Sequence, residues 1–136
     1  MKKKITIVIT VPLSLETWFR GQPHYLSEHY EIEIITSEGK NIASIQAYEN
    51  VSITLVDFTR RINPFKDLKI LLQLWRHFRR TSPDMVYSIT PKAGLLGMMA
   101  AWLARVPLRV HLIVGLAYMG SSNKRRILLK AIEKIT

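Results

Sequence analysis

Short runs of apolar, often β-branched residues alternate with longer stretches of helical periodicity along almost the whole chain. The apolar runs predict strands at about residues 4–10, 31–36, 52–57, 84–89 and 108–113. The helical periodicity predicts helices at about residues 17–29, 42–48, 65–80, 91–105 and 123–135. This alternation is typical of βα units. With right-handed crossovers, it predicts a Rossmann-like α/β three-layer sandwich whose five-stranded parallel sheet has the order 3-2-1-4-5.

The first helical pattern contains a proline, Pro23. Because proline has no backbone N–H, it fits a helix only near the start. We therefore expect an irregular loop over residues 11–16 and a helix that begins late, near Arg20. The alternative is a longer helix with a kink.

The stretch from Pro64 to Arg80 has the clearest amphipathic pattern. One predicted face is apolar and is expected to pack on the core: Leu68, Leu71, Leu72, Trp75 and Phe78. The other predicted face is basic: Lys66, Lys69, Arg76 and Arg80. These cations either are simply solvated or also attract anionic lipids, to which each basic residue near the surface contributes about 1 kcal/mol.

A strand-to-helix turn follows the apolar residues 85–87. Thr90 suits the N-cap of the next helix, and Pro91 suits its first position, where a missing N–H costs nothing. Lys92 adds positive charge beside the helix start, which is a natural place for a phosphate or carboxylate. Ligands of open α/β sheets bind at the carboxyl ends of the strands, so this turn is a candidate ligand site. The alternative is a capped turn without a ligand.

The segment TPKAGLLGMMAAWLARVP, which starts at Thr90, resembles part of the N-terminal domain of bacterial family 4 glycosyltransferases of the GT-B fold. The likeness extends in the expected order over nearly the whole chain, through VPLSLETWFRGQPHYLSEHYEIEIITSEG, TRRINPFKDLKILLQLWRHFRRTSPDMVYS and VHLIVGLAYMG. The members that it resembles make capsule, O-antigen and exopolysaccharide. Ile89 and Val114 stand where many members carry histidine, so the catalytic residues are left unidentified.

The resemblance implies that residues 1–136 form the acceptor-side domain of a retaining glycosyltransferase, with the C-terminal donor-binding domain absent from this chain. The complete enzyme would move a hexose or N-acetylhexosamine from a nucleotide diphosphate sugar to a polyprenyl-diphosphate-linked saccharide. No cofactor and no metal are implied, because backbone amides and basic residues stabilise the leaving diphosphate. The resemblance also implies a cytoplasmic protein, peripheral on the inner face of the plasma membrane, and no transfer by this chain alone.

The resemblance places candidate acceptor-binding or cleft-lining residues in loops at the carboxyl edge of the sheet. They are Ser14, Arg20, Gly21, Arg60, Thr90, Lys92, Gly115 and Tyr118. The two glycines would let the backbone approach a ligand closely, and Tyr118 would stack on a sugar ring. For Arg20 and Arg60, an ordinary solvated arginine remains the alternative. The candidate membrane surface consists of Lys66, Lys69, Arg76 and Arg80.

Composition and motifs exclude several classes of protein. With 136 residues, the chain has the length of one domain, and without cysteine it has neither disulfides nor thiolate metal sites. The four histidines lack metal-ligand spacing. The GxGxxG and GxxxxGK[ST] motifs are absent, which disfavours NAD-dependent and ATPase functions. No apolar run approaches the ~20 residues that span a bilayer.

The net charge of +10 is unevenly distributed. Residues 5–58 carry two basic residues against seven carboxylates, so the positive excess lies outside that segment. Such asymmetry predicts an anionic partner surface. One alternative function is a non-catalytic membrane-tethering subunit of a split glycosyltransferase, bound to a partner subunit. Another is a basic nucleic-acid-binding domain, but no helix-turn-helix, zinc or RNP motif supports it, and no nucleic acid is expected.

Overall fold

The computed structural model of the chain describes residues 2–40, 42–58, 61 and 63–112, with five strands and five helices. The strands are β1 (Lys4–Val8), β2 (Glu31–Thr36), β3 (Ser52–Leu55), β4 (Met85–Ser88) and β5 (Leu108–His111). The helices are α1 (Pro12–Trp18), α2 (Gln22–Ser27), α3 (Ile42–Glu49), α4 (Pro64–Thr81) and α5 (Pro91–Leu103). All strand pairs are parallel, and their order is β3-β2-β1-β4-β5, which confirms the predicted fold. The helix predicted at 123–135 lies outside the described residues.

The predicted loop over residues 11–16 is wrong, because α1 occupies this segment. Pro12 is its first residue, where the fixed φ of proline suits a helix start. A second helix, α2, begins only after Gly21, whose φ of 86° ends any continuous helix. The prediction of a helix that begins only near Arg20 therefore holds for α2, in which Pro23 occupies one of the first two positions.

The start of α2 is capped from another helix. Glu49, at the end of α3, is buried, and its carboxylate accepts the backbone N–H groups of Gly21 (2.9 Å) and His24 (3.0 Å). Both donors belong to the first turn of α2, where N–H groups have no partner within the helix. A negative charge at this position also interacts favourably with the helix dipole. Glu49 thus fixes α2 against α3.

The two faces of the sheet carry separate apolar cores. Helices α4 and α5 cover one face, with Ile70, Leu74 and Phe78 of α4 buried against the sheet. Helices α1, α2 and α3 cover the other face, and their core residues include Leu15 and Ile45. Small residues let α5 lie close to the strands: Ala93, Gly94, Gly97, Ala100 and Ala101 are all buried.

The apolar face predicted for α4 is partly wrong. Leu68 and Leu72 are 56% and 46% exposed, whereas Leu71 and Trp75 are half-buried. The buried stripe runs through Ile70, Leu74 and Phe78, which are spaced four residues apart. Because the sequence has more leucines than one face can hold, α4 presents apolar side chains to solvent as well as to the core.

A largely buried carboxylate lies beneath α4 on β2, the strand next to the central one. Glu33 of β2 has its Oε1 atom 2.8 Å from His77 Nε2, and the same atom accepts the Thr54 hydroxyl at 2.6 Å. Burial alone would raise the pKa of Glu33, but the hydrogen bonds from His77 and Thr54 and the charges of His77 and Lys4 outweigh it. The pKa of Glu33 therefore lies below its ordinary value, and the carboxylate stays ionised at neutral pH.

Within the described residues, none of the helices is both long enough and apolar enough to cross a bilayer. The longest of them, α4, has 18 residues and carries several charges.

Candidate functional site at the carboxyl edge of the sheet

Hydroxyl groups join the carboxyl ends of three strands. The Thr90 hydroxyl, after β4, hydrogen-bonds with the Thr10 hydroxyl, after β1, and also accepts the Thr10 backbone N–H at 3.2 Å. Ser37, after β2, donates its hydroxyl to the Thr10 carbonyl at 2.7 Å. Thr90 is the N-cap residue of α5, as predicted, but its side chain makes no capping hydrogen bond, because Thr10 engages it instead. The first turn of α5 is therefore not capped by this side chain, and it points its N–H groups towards the edge.

Lys92 lies at the start of α5, as predicted, and is held by an ion pair. Its Nζ atom is 2.9 Å from Asp67 Oδ1, and both side chains are more than four-fifths buried. The same ammonium donates to the Arg61 carbonyl at 2.6 Å. The other oxygen of Asp67 accepts the Asn63 N–H at 3.3 Å, at the N-cap of α4. Lys92 thus ties the starts of α4 and α5 together at one edge of the sheet.

His111 and Gly94 fit together beside this edge. The His111 Nδ1 atom is 2.9 Å from the hydroxyl of Ser88, its register partner on β4, and Ser88 is fully buried. A Cβ atom on Gly94 would lie 2.4 Å from His111 Cε1, so the imidazole occupies the space that a larger residue in the first turn of α5 would need. This contact sets how closely the start of α5 approaches β5.

The first-loop candidates lie apart from Thr90 and Lys92. The Arg20 guanidinium stacks 4.5 Å from the centre of the Tyr48 ring, in the last turn of α3. That turn leads into the start of β3 and is therefore remote from the carboxyl edge. The N–H of Gly21 is donated to Glu49. Ser14 falls within α1, but its side chain is outside the described part of the structure. Arg60, Gly115 and Tyr118 lie entirely outside the described residues.

The predicted membrane residues all lie on the exposed side of α4. Lys66, Lys69, Arg76 and Arg80 are each exposed. They share this side of the helix with Phe65, Leu68 and Leu72, which are also exposed and which we call the α4 ridge.

The sequence prediction missed three residues of the edge: Thr10, Asp67 and His111. For Thr10, the signal was a polar side chain at the end of a predicted strand, as Thr90 directly follows one; His111 lies within the predicted strand 108–113 and gave no such signal. Asp67 carried no such signal, since its partner Lys92 lies 25 residues away and on another helix. The described residues contain no group of three His, Asp or Glu side chains that could hold a metal ion, and metal-independent chemistry stays a prediction.

Comparison with known proteins agrees with the resemblance found in the sequence. A family model described as "Glycosyl transferase 4-like" matches residues 17–136. The capsular polysaccharide biosynthesis glycosyltransferase CapM of Staphylococcus aureus is 33% identical over 134 residues, which cover 98% of this chain and 34% of CapM. A UDP-Gal:alpha-D-GlcNAc-diphosphoundecaprenol alpha-1,3-galactosyltransferase of Escherichia coli is 29% identical over 98 residues, which cover 72% of this chain and 25% of that protein.

Solved structures support the fold. The UDP-N-acetylglucosamine 2-epimerase of Rickettsia bellii superimposes with a TM-score of 0.71 at 12% identity, over 100% of this chain and 38% of the epimerase. At this identity the likeness concerns the architecture alone. The chain spans about a third or less of the length of the two curated relatives above.

Proposed function

Because the chain belongs to the glycosyl transferase 4-like family, we propose that it forms the acceptor-binding domain of a retaining glycosyltransferase. The complete enzyme moves a sugar from a nucleotide diphosphate sugar to a lipid-linked saccharide in surface polysaccharide biosynthesis. The names of the two relatives favour this reaction, since one makes capsular polysaccharide and the other uses a diphosphoundecaprenol-linked sugar. Donor binding falls mainly to a second domain of such an enzyme.

The observation that carries the proposal is the start of α5. Its first N–H groups lie at the carboxyl edge and are not capped by the Thr90 hydroxyl. A helix start attracts phosphate groups through its N–H groups and through the helix dipole. In the reaction, such donors stabilise the negative charge of the leaving diphosphate. The ammonium of Lys92 adds less than a free cation would, because Asp67 neutralises it.

Calorimetric binding to the purified chain tests this assignment. We expect an acceptor analogue, a saccharide linked through a diphosphate to a short prenyl chain, to bind saturably and to be displaced by inorganic pyrophosphate. A nucleotide diphosphate sugar should bind at least tenfold more weakly, and the chain alone should transfer no sugar. Sugar transfer by this chain alone, or tighter binding of the nucleotide sugar than of the acceptor analogue, would contradict the proposal.

We also propose that α4 holds the protein on the inner face of the plasma membrane. Four exposed cations along one side of this helix favour an anionic surface, at about 1 kcal/mol each. The α4 ridge between them adds apolar side chains that can enter the lipid interface.

In a vesicle sedimentation assay, we expect the chain to bind phosphatidylglycerol vesicles and to be released by high salt. The quadruple variant Lys66→Gln/Lys69→Gln/Arg76→Gln/Arg80→Gln should bind at least tenfold less, because it lacks the positive charges on α4. Lys40→Gln, which removes an exposed cation from the opposite side of the sheet, serves as the control and should bind normally. Equal binding to neutral phosphatidylcholine vesicles would contradict the proposed electrostatic attraction.

A further inference from the structure

A groove runs between α4 and β3, the end strand of the described sheet. Its volume is about 730 Å³. Thr54 of β3 and Val56, just after the strand, form one wall, and the α4 ridge forms the other. The α4 ridge is unusually open to solvent for apolar residues, with Leu68 56% exposed and Phe65 87% exposed. Contiguous apolar surface of this kind marks a place where a ligand, a membrane or another protein binds.

The two arginines of the groove lie at one end, and its exposed apolar side chains lie towards the other, with Lys69 beside them. Helix α4 runs from the carboxyl edge of the sheet, where β3 ends, towards the amino edge, where β4 begins. Phe65, Leu68 and Leu72 belong to its first half, whereas Arg76 and Arg80 lie in its last two turns. At about 1.5 Å per residue, Leu68 and Arg80 are ~18 Å apart along the helix axis. The cationic end is therefore remote from the start of α5.

The charges of the groove favour an anionic occupant. Among the described residues that line it, Lys69, Arg76 and Arg80 are cations and none is a carboxylate. The Arg80 Nη2 atom lies 3.3 Å from His77 Nδ1, which holds the guanidinium beside the floor of the groove. The Glu33 carboxylate behind His77 is engaged by that imidazole and by Thr54. A second copy of this basic side would be repelled, whereas a phosphate would be attracted.

We propose that the groove binds one anionic phospholipid of the bilayer. Its hydrocarbon chain lies along Leu68 and Leu72, and its phosphate lies between Arg76 and Arg80. This inference rests on the proposed membrane function and adds a defined lipid site to it. The polarity of the groove distinguishes this lipid from the acceptor, since the diphosphate of the acceptor has to reach the start of α5, at the other end of α4.

Titration with a short-chain lipid below its micelle concentration tests the site. Dihexanoyl phosphatidylglycerol is the probe, and backbone NMR shifts of the full 136-residue chain report binding without any bilayer. We expect saturable binding at one site, with the largest shifts in β3 and α4, and at least tenfold weaker binding of dihexanoyl phosphatidylcholine. Inorganic phosphate alone should bind at least tenfold more weakly than the anionic lipid, because it lacks the hydrocarbon chain.

Two variants separate the apolar and charged contributions. Leu68→Ser/Leu72→Ser and Arg76→Gln/Arg80→Gln should each weaken binding of the short-chain anionic lipid at least tenfold. Leu13→Ser is the matched control, since Leu13 is an exposed leucine of α1 on the opposite face of the sheet, and it should bind as the original chain does. Thermal unfolding of each variant verifies that it is folded.

Several results would overturn the lipid site. One is unchanged binding by the Leu68→Ser/Leu72→Ser variant, and another is a set of shifts confined to the start of α5, which would indicate the acceptor site. Binding to anionic vesicles without any binding of the short-chain lipid would also overturn it, while leaving the proposed membrane association intact. Failure to bind either vesicles or the short-chain lipid would contradict both proposals.

Discussion

Replacing Gly94 by alanine is expected to lower the free energy of unfolding by about 2 kcal/mol, because the new methyl group overpacks a filled space. Its Cβ would lie 2.4 Å from Cε1 and 2.6 Å from Nδ1 of His111. The imidazole would have to turn away, and the buried Ser88 hydroxyl would then lose its 2.9 Å partner. Chemical denaturation of the purified variant measures this loss.

Gly97, one turn further along the same helix, supplies the control. A Cβ there would meet Val8 no closer than 3.6 Å, which is ordinary contact. Gly97→Ala should therefore raise the free energy of unfolding by about 0.5–1 kcal/mol, the usual gain for alanine over glycine in a helix. In the double variant Gly94→Ala/His111→Ala, the combined loss should be smaller than the sum of the single losses, since the clash is gone. Full additivity would show that His111 is not what excludes a side chain at position 94.

Replacing Glu33 by glutamine should lower the free energy of unfolding by about 2 kcal/mol at pH 7, since hydrogen bonds to a charged group contribute about 1.5–3 kcal/mol. The carboxylate accepts from His77 and Thr54 on one oxygen, at 2.8 and 2.6 Å; the glutamine carbonyl can accept the same two bonds, but without the negative charge they are weaker. Because Glu33 is largely shielded from solvent, water cannot replace these contacts. Urea denaturation at neutral pH measures the difference.

The same variant should also change how stability depends on pH. The pKa of Glu33 is lowered in the folded protein, so its ionisation stabilises the fold fully above the ordinary value of 4.5. This stabilisation is lost as the pH falls below 4.5 through the lowered pKa, and Glu33→Gln should flatten that part of the curve. Glu31→Gln is the control, because Glu31 points to the same side of β2 but is exposed, 3.7 Å from Lys4. If the free energy of unfolding falls equally steeply below pH 4.5 in the original chain and in Glu33→Gln, Glu33 is not the source of this pH dependence.

Much of the fold was predictable because local sequence patterns indicate it. The five strands follow from apolar runs, and α5 follows from Thr90 and Pro91 at its start. The connection between β1 and β2 was predictable only in part. Helix α1 has seven residues and no side-chain cap at Val11, so its periodicity is too short to be distinguished from a loop. Its separation from α2 depends on Gly21 and on a cap from Glu49, which lies 28 residues further along the chain.

The candidate site was less predictable, because its decisive contacts join distant segments. The sequence indicates that Thr90 and Lys92 lie at the carboxyl edge, and both do. Their partners, however, are set by tertiary packing. Thr90 hydrogen-bonds with Thr10, which lies 80 residues earlier, and Lys92 forms an ion pair with Asp67. Likewise, the periodicity wrongly placed Leu68 and Leu72 on the core side, because α4 has apolar residues on its exposed side as well as on its buried side.

The position of β1 in the middle of the sheet has a consequence for the newly made chain. Ile5 of β1 pairs with Ile32 on one side but with Met85 on the other. At synthesis rates of about 5–20 residues per second, the second partner arrives roughly 4–16 s after β1 has been made. Throughout that interval, an apolar strand has one unpaired edge that can join a strand of another nascent chain. Early protection of this strand therefore helps to determine how much of the newly made protein reaches the folded form.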